Sequence, residues 1–395
     1  MNKRQVNNKI VVAKAITALA LLAIFIYIGI AVKSVEVAEW FSRNFSRWWV
    51  TAVGSVTSVL PFSLFEALII LAVFGVIVYI VYLGESIRFK RWKRLLSITL
   101  TVLIVVLFVL TCYVSVATPG YYRQPLDLDL YDISTDGKFL YEDAVQLAES
   151  VIAQINEIGP LLQRDSEGYI VYPYDNNRMN QLIAEQYAKL DSDYFNSFTP
   201  VAKPIVNSWF MSEMQISGIS FLPTAEPNFN RNLFRLYSYP VVVAHEIAHS
   251  KGVMREGDAN TLAYYIALSS DDLYVKYSGL VSVYGQAISL VSLYPNSQAD
   301  VERLYDMASS SWAYKDIIVS SRLWNSYTMF GDIGEFFNNI YLIFNGQSGT
   351  DSYVPQPDIS DSGDKDDDGN IIWEVTSYSQ IQNLLITMYK QGVFA

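Results

Sequence analysis

The chain has 395 residues, 51% of them hydrophobic, and a mean hydropathy of +0.21. That is too apolar for one ordinary soluble domain and too mixed for a wholly buried bundle, and the length suggests two or three units. The net charge is −11, yet residues 1–94 carry twelve Lys/Arg against four Asp/Glu, so the remainder is strongly acidic. Without a cationic surface there, nucleic acid is excluded as a partner. The one cysteine, Cys112, lies in an apolar segment, so the chain can build neither an internal disulfide nor a thiolate metal site.

Three uncharged stretches, residues 15–32, 67–83 and 95–117, are each about long enough to cross the roughly 30 Å hydrocarbon layer as a helix. The first exceeds the roughly 7–15 apolar residues of a signal peptide and two more follow, so it reads as an uncleaved anchor. Lys3, Arg4, Lys9 and Lys14 precede it, and Arg88, Lys90, Arg91, Lys93 and Arg94 fill the loop between the second and third stretches. The positive-inside rule then keeps the N-terminus and that loop in the cytoplasm and puts everything after residue 117 outside. The expectation is a multi-pass protein of the cell membrane, with the lipid bilayer as one partner. Trp40, Phe41, Phe45, Trp48 and Trp49 recur at helical spacing in the first loop. They fit either a short helix in the headgroup zone or a loop packed on the outer domain.

From Pro119-Gly120 onward the texture is that of a globular, mainly helical domain, so the expected division is an anchor at 1–119 and an extracytoplasmic domain at 120–395. About 275 residues suffice for an independent core. Ala144, Leu147, Ala148, Val151, Ile152 and Ile155 share one helix face. Residues 177–190 read as a second helix and 203–230 as short extended pieces. Helices resume near 238, run to about 343, and a last one covers roughly 378–390. Residues 349–370 form a polar, acidic insertion expected to be a solvated loop. Within it Asp364, Asp366 and Asp368, with Gly369, match the first half of a calcium loop, but Val375 stands where the bidentate Glu belongs. Calcium is therefore the weaker reading of that stretch.

The chain's only two histidines, His245 and His249, stand four residues apart in His-Glu-Ile-Ala-His. On a helix both rings then lie on one face and can reach one zinc ion, and Glu246 is offset so that it can act as a base without ligating. Ser238 and Pro240 suit the helix start, and Gly252 suits a left-handed stop. A catalytic zinc usually takes three protein ligands. Glu256, at the start of the next helix, is the first candidate and Asp258 its rival, with Asn260 placed to orient a ligand histidine. Such a site would hydrolyse a peptide bond, with Glu246 moving the proton and a further donor at the oxyanion. Tyr264, Tyr265 and Tyr277 are among the candidates for that donor.

On residues 217–230, 245–252, 255–264, 277–279, 339–347 and 377–390 the chain resembles a family of bacterial membrane proteins filed as domain of unknown function 3810, whose members look like HExxH-plus-Glu (gluzincin-like) zinc metallopeptidases. The resemblance implies a three-helix transmembrane region followed by a mainly α (α+β), zincin-like domain with a small sheet. It implies His245 and His249 as ligands, Glu246 as base, and Glu256 as third ligand from the Glu-x-x-Ala-Asn form at 256–260. By analogy, residues 218–230 would supply a strand that pairs with a protein or peptide substrate, with Glu226 and Asn228 lining the cleft. Two other classes stay open: a zinc-binding membrane sensor without turnover, and a zinc amidase acting on cell wall.

Overall fold

The computed structural model describes residues 7–126, 139–190, 192–294, 296–353, 358–365, 371–377 and 379–394. It divides into two compact units, residues 1–124 with 221–226, and residues 125–220 with 227–395.

In the first unit, α1 (Asn8–Ala31) is followed by α2 (Val35–Trp40), a π-helical turn at Phe41–Ser46, and α3 (Arg47–Thr57). Next come α4 (Leu64–Arg88), α5 (Trp92–Val116) and the short α6 (Pro119–Tyr122). Three of these helices are long and apolar enough to cross a membrane, at Asn8–Ala31, Leu64–Arg88 and Trp92–Tyr122. Each runs past the uncharged stretch that the sequence marks out. A helix keeps its hydrogen bonds beyond the apolar zone, so charge does not end it where hydropathy falls. Lys14, inside α1, donates to Ser97 O and Oγ at 3.0 Å and to Thr101 Oγ1 at 2.6 Å, which ties α1 to α5 and satisfies its charge. Of the aromatic loop residues, Trp40 and Trp48 are exposed, whereas Trp49 donates its indole N–H to the carbonyls of Leu222 and Pro223, both at 3.2 Å.

The second unit is mostly helical. It begins with α7 (Tyr141–Ile158), on which all six residues of the predicted face are buried, and α8 (Asn176–Tyr187), which Asp175 caps through Arg178 N. A small sheet follows, built from β1 (Lys203–Ile205), then β2 (Gly218–Phe221) and β3 (Glu226–Asn230) in the order β1-β3-β2, with β1 parallel to β3. The helix α9 (Ser208–Glu213) lies between β1 and β2 in sequence. Six helices then run in succession: α10 (Tyr239–Ser250), α11 (Glu256–Leu268), α12 (Leu273–Val291), α13 (Gln298–Ser309), α14 (Trp312–Trp324) and α15 (Gly331–Phe344). After a 3-10 turn at Gly349–Tyr353, β4 (Asp358–Lys365) pairs antiparallel with β5 (Ile371–Ser377), and α16 (Gln380–Lys390) closes the core. Part of the acidic stretch is therefore strand rather than loop. The Ile-Ile-Trp-Glu-Val-Thr run of β5 supplies the β-branched and aromatic residues that favour such pairing.

Candidate metal centre

Helix α10 is held in the core by Val241, Val243, Ala244, Ile247 and Ala248, all buried. Pro240 sits in its first turn, where a missing N–H costs nothing. Ser238 occupies the cap position but makes no side-chain capping bond; instead Ser278 Oγ on α12 accepts from Val241 N at 3.3 Å. The opposite face carries His245 and His249, whose rings stand 4.8 Å apart at 87°.

After α10 the chain reverses within five residues. Gly252 takes φ of +92°, the left-handed conformation that a side chain resists. Lys251 fixes the other side of the turn. It is 2% exposed, and its ammonium donates to Asn196 O at 2.9 Å, Ser197 O at 3.3 Å and Thr199 Oγ1 at 2.6 Å. Burial pulls its pKa down to about 8. Replacing Lys251 with Met keeps the apolar stem but leaves those buried carbonyls unmatched, so denaturant unfolding of the full chain should register a loss of about 2–3 kcal/mol.

The reversal delivers Glu256, the first residue of α11, to the two rings. Its Oε2 lies 3.2 Å from His245 Nε2 and 3.8 Å from His249 Nε2, and one ligand atom from each of the three residues falls within 4.8 Å of the others. A tetrahedral ion bonded at about 2.0–2.2 Å holds its ligand atoms about 3.4 Å apart, a spacing that the 3.2 Å and 3.8 Å separations from Glu256 bracket. The nitrogen–oxygen donor set also suits that ion. His249 Nδ1 is 2.8 Å from Val253 O, which fixes the tautomer that leaves Nε2 free to ligate. Burial pushes the His249 pKa down to about 4, against the Glu256 charge, so the ring is neutral at pH 7. Burial also pulls on His245, but Glu256, together with Glu246 and Asn260, offsets it and holds that ring above its ordinary value. Glu256 in turn is kept below the usual carboxylate range by the two histidines, although burial acts to raise it.

Glu246 is 5% exposed, and burial pushes its pKa up to about 7. Its Oε2 has no hydrogen-bond partner. Strand β2 passes flush against it: a Cβ on Gly218 would stand 2.2 Å from Glu246 Oε1, and Ser220 Oγ donates to Glu246 O at 2.6 Å. Gly218 is thus required by close approach rather than by backbone conformation.

The other expected residues have different surroundings. Asp258 is turned to α16 and the chain start of its unit, accepting from Gln380 Nε2 at 2.5 Å and Leu126 N at 3.3 Å, so it does not join the cluster. Asn260 lies beside His245 and adds to the upward push on that ring, while its Nδ2 donates to Tyr353 O at 3.0 Å. Neither Glu226 nor Asn228 lines an open cleft. Glu226, 1% exposed, accepts from Leu64 N at 3.0 Å and Phe65 N at 2.8 Å, so its charge caps the positive end of α4. Asn228 is fully buried and donates to Ile219 O at 3.4 Å, bracing β3 against β2. Asp364 falls on β4, and Asp366 and Asp368 lie outside the described residues. Tyr277 donates its phenol to Asp316, which also pairs with Arg164 at 2.7 Å, so this tyrosine is committed elsewhere.

Tyr353 was not singled out by the sequence. Burial raises its pKa, and the charges of Glu256 and Glu246 raise it further, while its backbone carbonyl is held by Asn260 on α11. Asn338 Nδ2 approaches its hydroxyl at 3.4 Å. Its only local signal is a turn next to an acidic run, far along the chain from the histidines.

Residues 41–358 match the profile of a family described as "Protein of unknown function (DUF3810)". No curated protein and no solved structure matches the chain.

Proposed function

For this chain, which belongs to the DUF3810 family, we propose a membrane-anchored, zinc-dependent metallopeptidase that hydrolyses peptide bonds at the outer face of the cell membrane. The observation that carries the reading is the convergence of His245, His249 and Glu256 on one point, with the buried Glu246 carboxylate alongside. In this reading the helical unit is a zincin-like domain of the HExxH-plus-Glu kind. The Lys/Arg bias of the N-terminal region supports a cytoplasmic N-terminus and an outer catalytic domain.

Zinc held by the three residues would acidify a water and polarise the scissile carbonyl. Glu246 Oε2 takes the proton as water adds to the carbonyl carbon, then gives it to the amine as the C–N bond breaks. The Val253 carbonyl keeps His249 in its ligating tautomer, and Asn260 steadies both His245 and the Tyr353 turn. The Tyr353 phenol is the donor we assign to the developing oxyanion. The sheet order leaves β2 at an edge, where an extended peptide can pair with it beside Glu246. A cavity of about 410 Å³ opens next to Val242 and Ser217, walled also by Leu233, Tyr237, Ile317 and Trp324. Its lining holds no charged residue, which favours an uncharged side chain of the substrate.

The zinc-loaded full chain should cleave members of a mixed peptide library, with cleavage stopped by a chelator and restored by zinc. Tyr353→Phe should lower kcat about a hundredfold with little change in KM. An intact library beside released peptidoglycan fragments would move the reading to a cell-wall amidase. No hydrolysis of either would leave a metal-binding sensor.

A further inference from the structure

Helix α15 is amphipathic in the wrong sense for a water-facing surface. Ile333, Phe336, Phe337, Ile340, Ile343 and Phe344 recur at helical spacing on one side, and each is between 48% and 62% exposed. The opposite side packs on the protein through Gly334 and Leu342, both buried, and through the half-buried Asn338 and Asn339. Asn338 reaches the Tyr353 hydroxyl, and Asn339 Oδ1 accepts from Thr350 N at 2.9 Å. Gly334 lies so close to its neighbour that a Cβ there would stand 2.3 Å from Met214 O. These contacts fix the rotation of the helix, so the apolar side is held outward. The surface continues onto α9, where Trp209 and Phe210 are about half exposed and both contact the Phe330 ring. Met329, two residues before α15, is 65% exposed. A contiguous apolar face of this kind marks a binding surface.

We propose that α15, with the adjoining aromatic residues of α9, is an in-plane membrane contact that sinks its apolar side into the interfacial layer of the bilayer to which the chain is anchored. Fourteen residues make a helix of about 21 Å, too short to span a hydrocarbon layer of about 30 Å, so the contact lies along the surface. Interfacial helices usually carry Lys and Arg on the polar side to find anionic lipid. This helix has none and carries Asp332 and Glu335 instead. Electrostatic recruitment is unnecessary here, because three helices apolar enough to cross a membrane belong to the same chain and keep lipid at high effective concentration. The same absence of cations means that the contact needs no anionic lipid, so it forms on a zwitterionic surface at any salt concentration. The inference concerns lipid alone and stands apart from the peptidase reading.

The test uses the full chain carrying Cys112→Ala in phosphatidylcholine nanodiscs, with a single cysteine placed at Phe337, Ile340 or, as a control, the exposed Ser310, and labelled with a polarity-sensitive fluorophore. These sites are on the surface, so the labels leave the core intact. Lipids bearing a nitroxide near the headgroup end of the acyl chain should quench the labels at 337 and 340 several-fold more than the label at 310, at low and high salt alike. Quenching at 337 and 340 no greater than at 310 would overturn the proposal. Proximity between labels on two copies, with no lipid quenching, would overturn it in favour of a second copy as the occupant.

Discussion

Full-length protein purified with zinc should carry about one ion per chain, and the Glu256→Ala variant should bind zinc about a hundredfold or more weakly. Loss of an outer partner of a ligand already costs roughly 10–100-fold in affinity, and Glu256 is itself one of three donors at the centre. Metal analysis after dialysis reads the difference directly. Thermal unfolding reads it a second way: zinc at a hundred times its Kd adds about 2.7 kcal/mol to the wild-type fold, and the same concentration should do little for the variant. Asp258→Asn is the matched control. Its carboxylate is already bonded to Gln380 and to the Leu126 N–H, so the amide should leave zinc binding intact. Zinc kept by Glu256→Ala and lost from Asp258→Asn would reverse the ligand assignment. A wild-type chain that folds without taking up zinc would remove the metal centre altogether.

The contrast between these two carboxylates illustrates what the sequence could reveal. The spacing of His245 and His249 settles their shared helix face, because α-helical geometry is local. The buried faces of α7 and α16 are equally local, and the apolar stretches at the N-terminus reveal their helices by composition alone. Choosing Glu256 over Asp258 needs more. It depends on how sharply Gly252 turns the chain, and on Lys251 holding the turn to residues 196–199, which are distant in sequence. Glu226 has the same difficulty in stronger form. Nothing near residue 226 signals that its carboxylate caps a helix beginning at Leu64. The periodicity of α15 announces a helix, but not that Ile333, Phe336, Phe337 and Ile340 are left facing outward. Tyr353 is hidden for the same reason, since only packing brings that turn to α11.

Glu246→Gln separates holding a metal from using it. The substitution preserves side-chain volume, so it still fits the notch left by Gly218, where a single Cβ would stand 2.2 Å from the present Oε1. It leaves His245, His249 and Glu256 in place, so zinc content should match the wild type. What it removes is the proton acceptor. Burial holds Glu246 up to about 7, close to a working pH, which is where a general base accepts and returns a proton most effectively. Its free Oε2 is the atom available for that exchange. Peptide hydrolysis should therefore fall by about 10²–10⁴-fold in kcat, or roughly 3–5 kcal/mol of transition-state stabilisation. A variant with full zinc and undiminished hydrolysis would mean that another group moves the proton, and the assigned mechanism would be wrong. A variant with full zinc, no hydrolysis and an unaltered cellular phenotype would show that the cell uses the bound metal for something other than turnover.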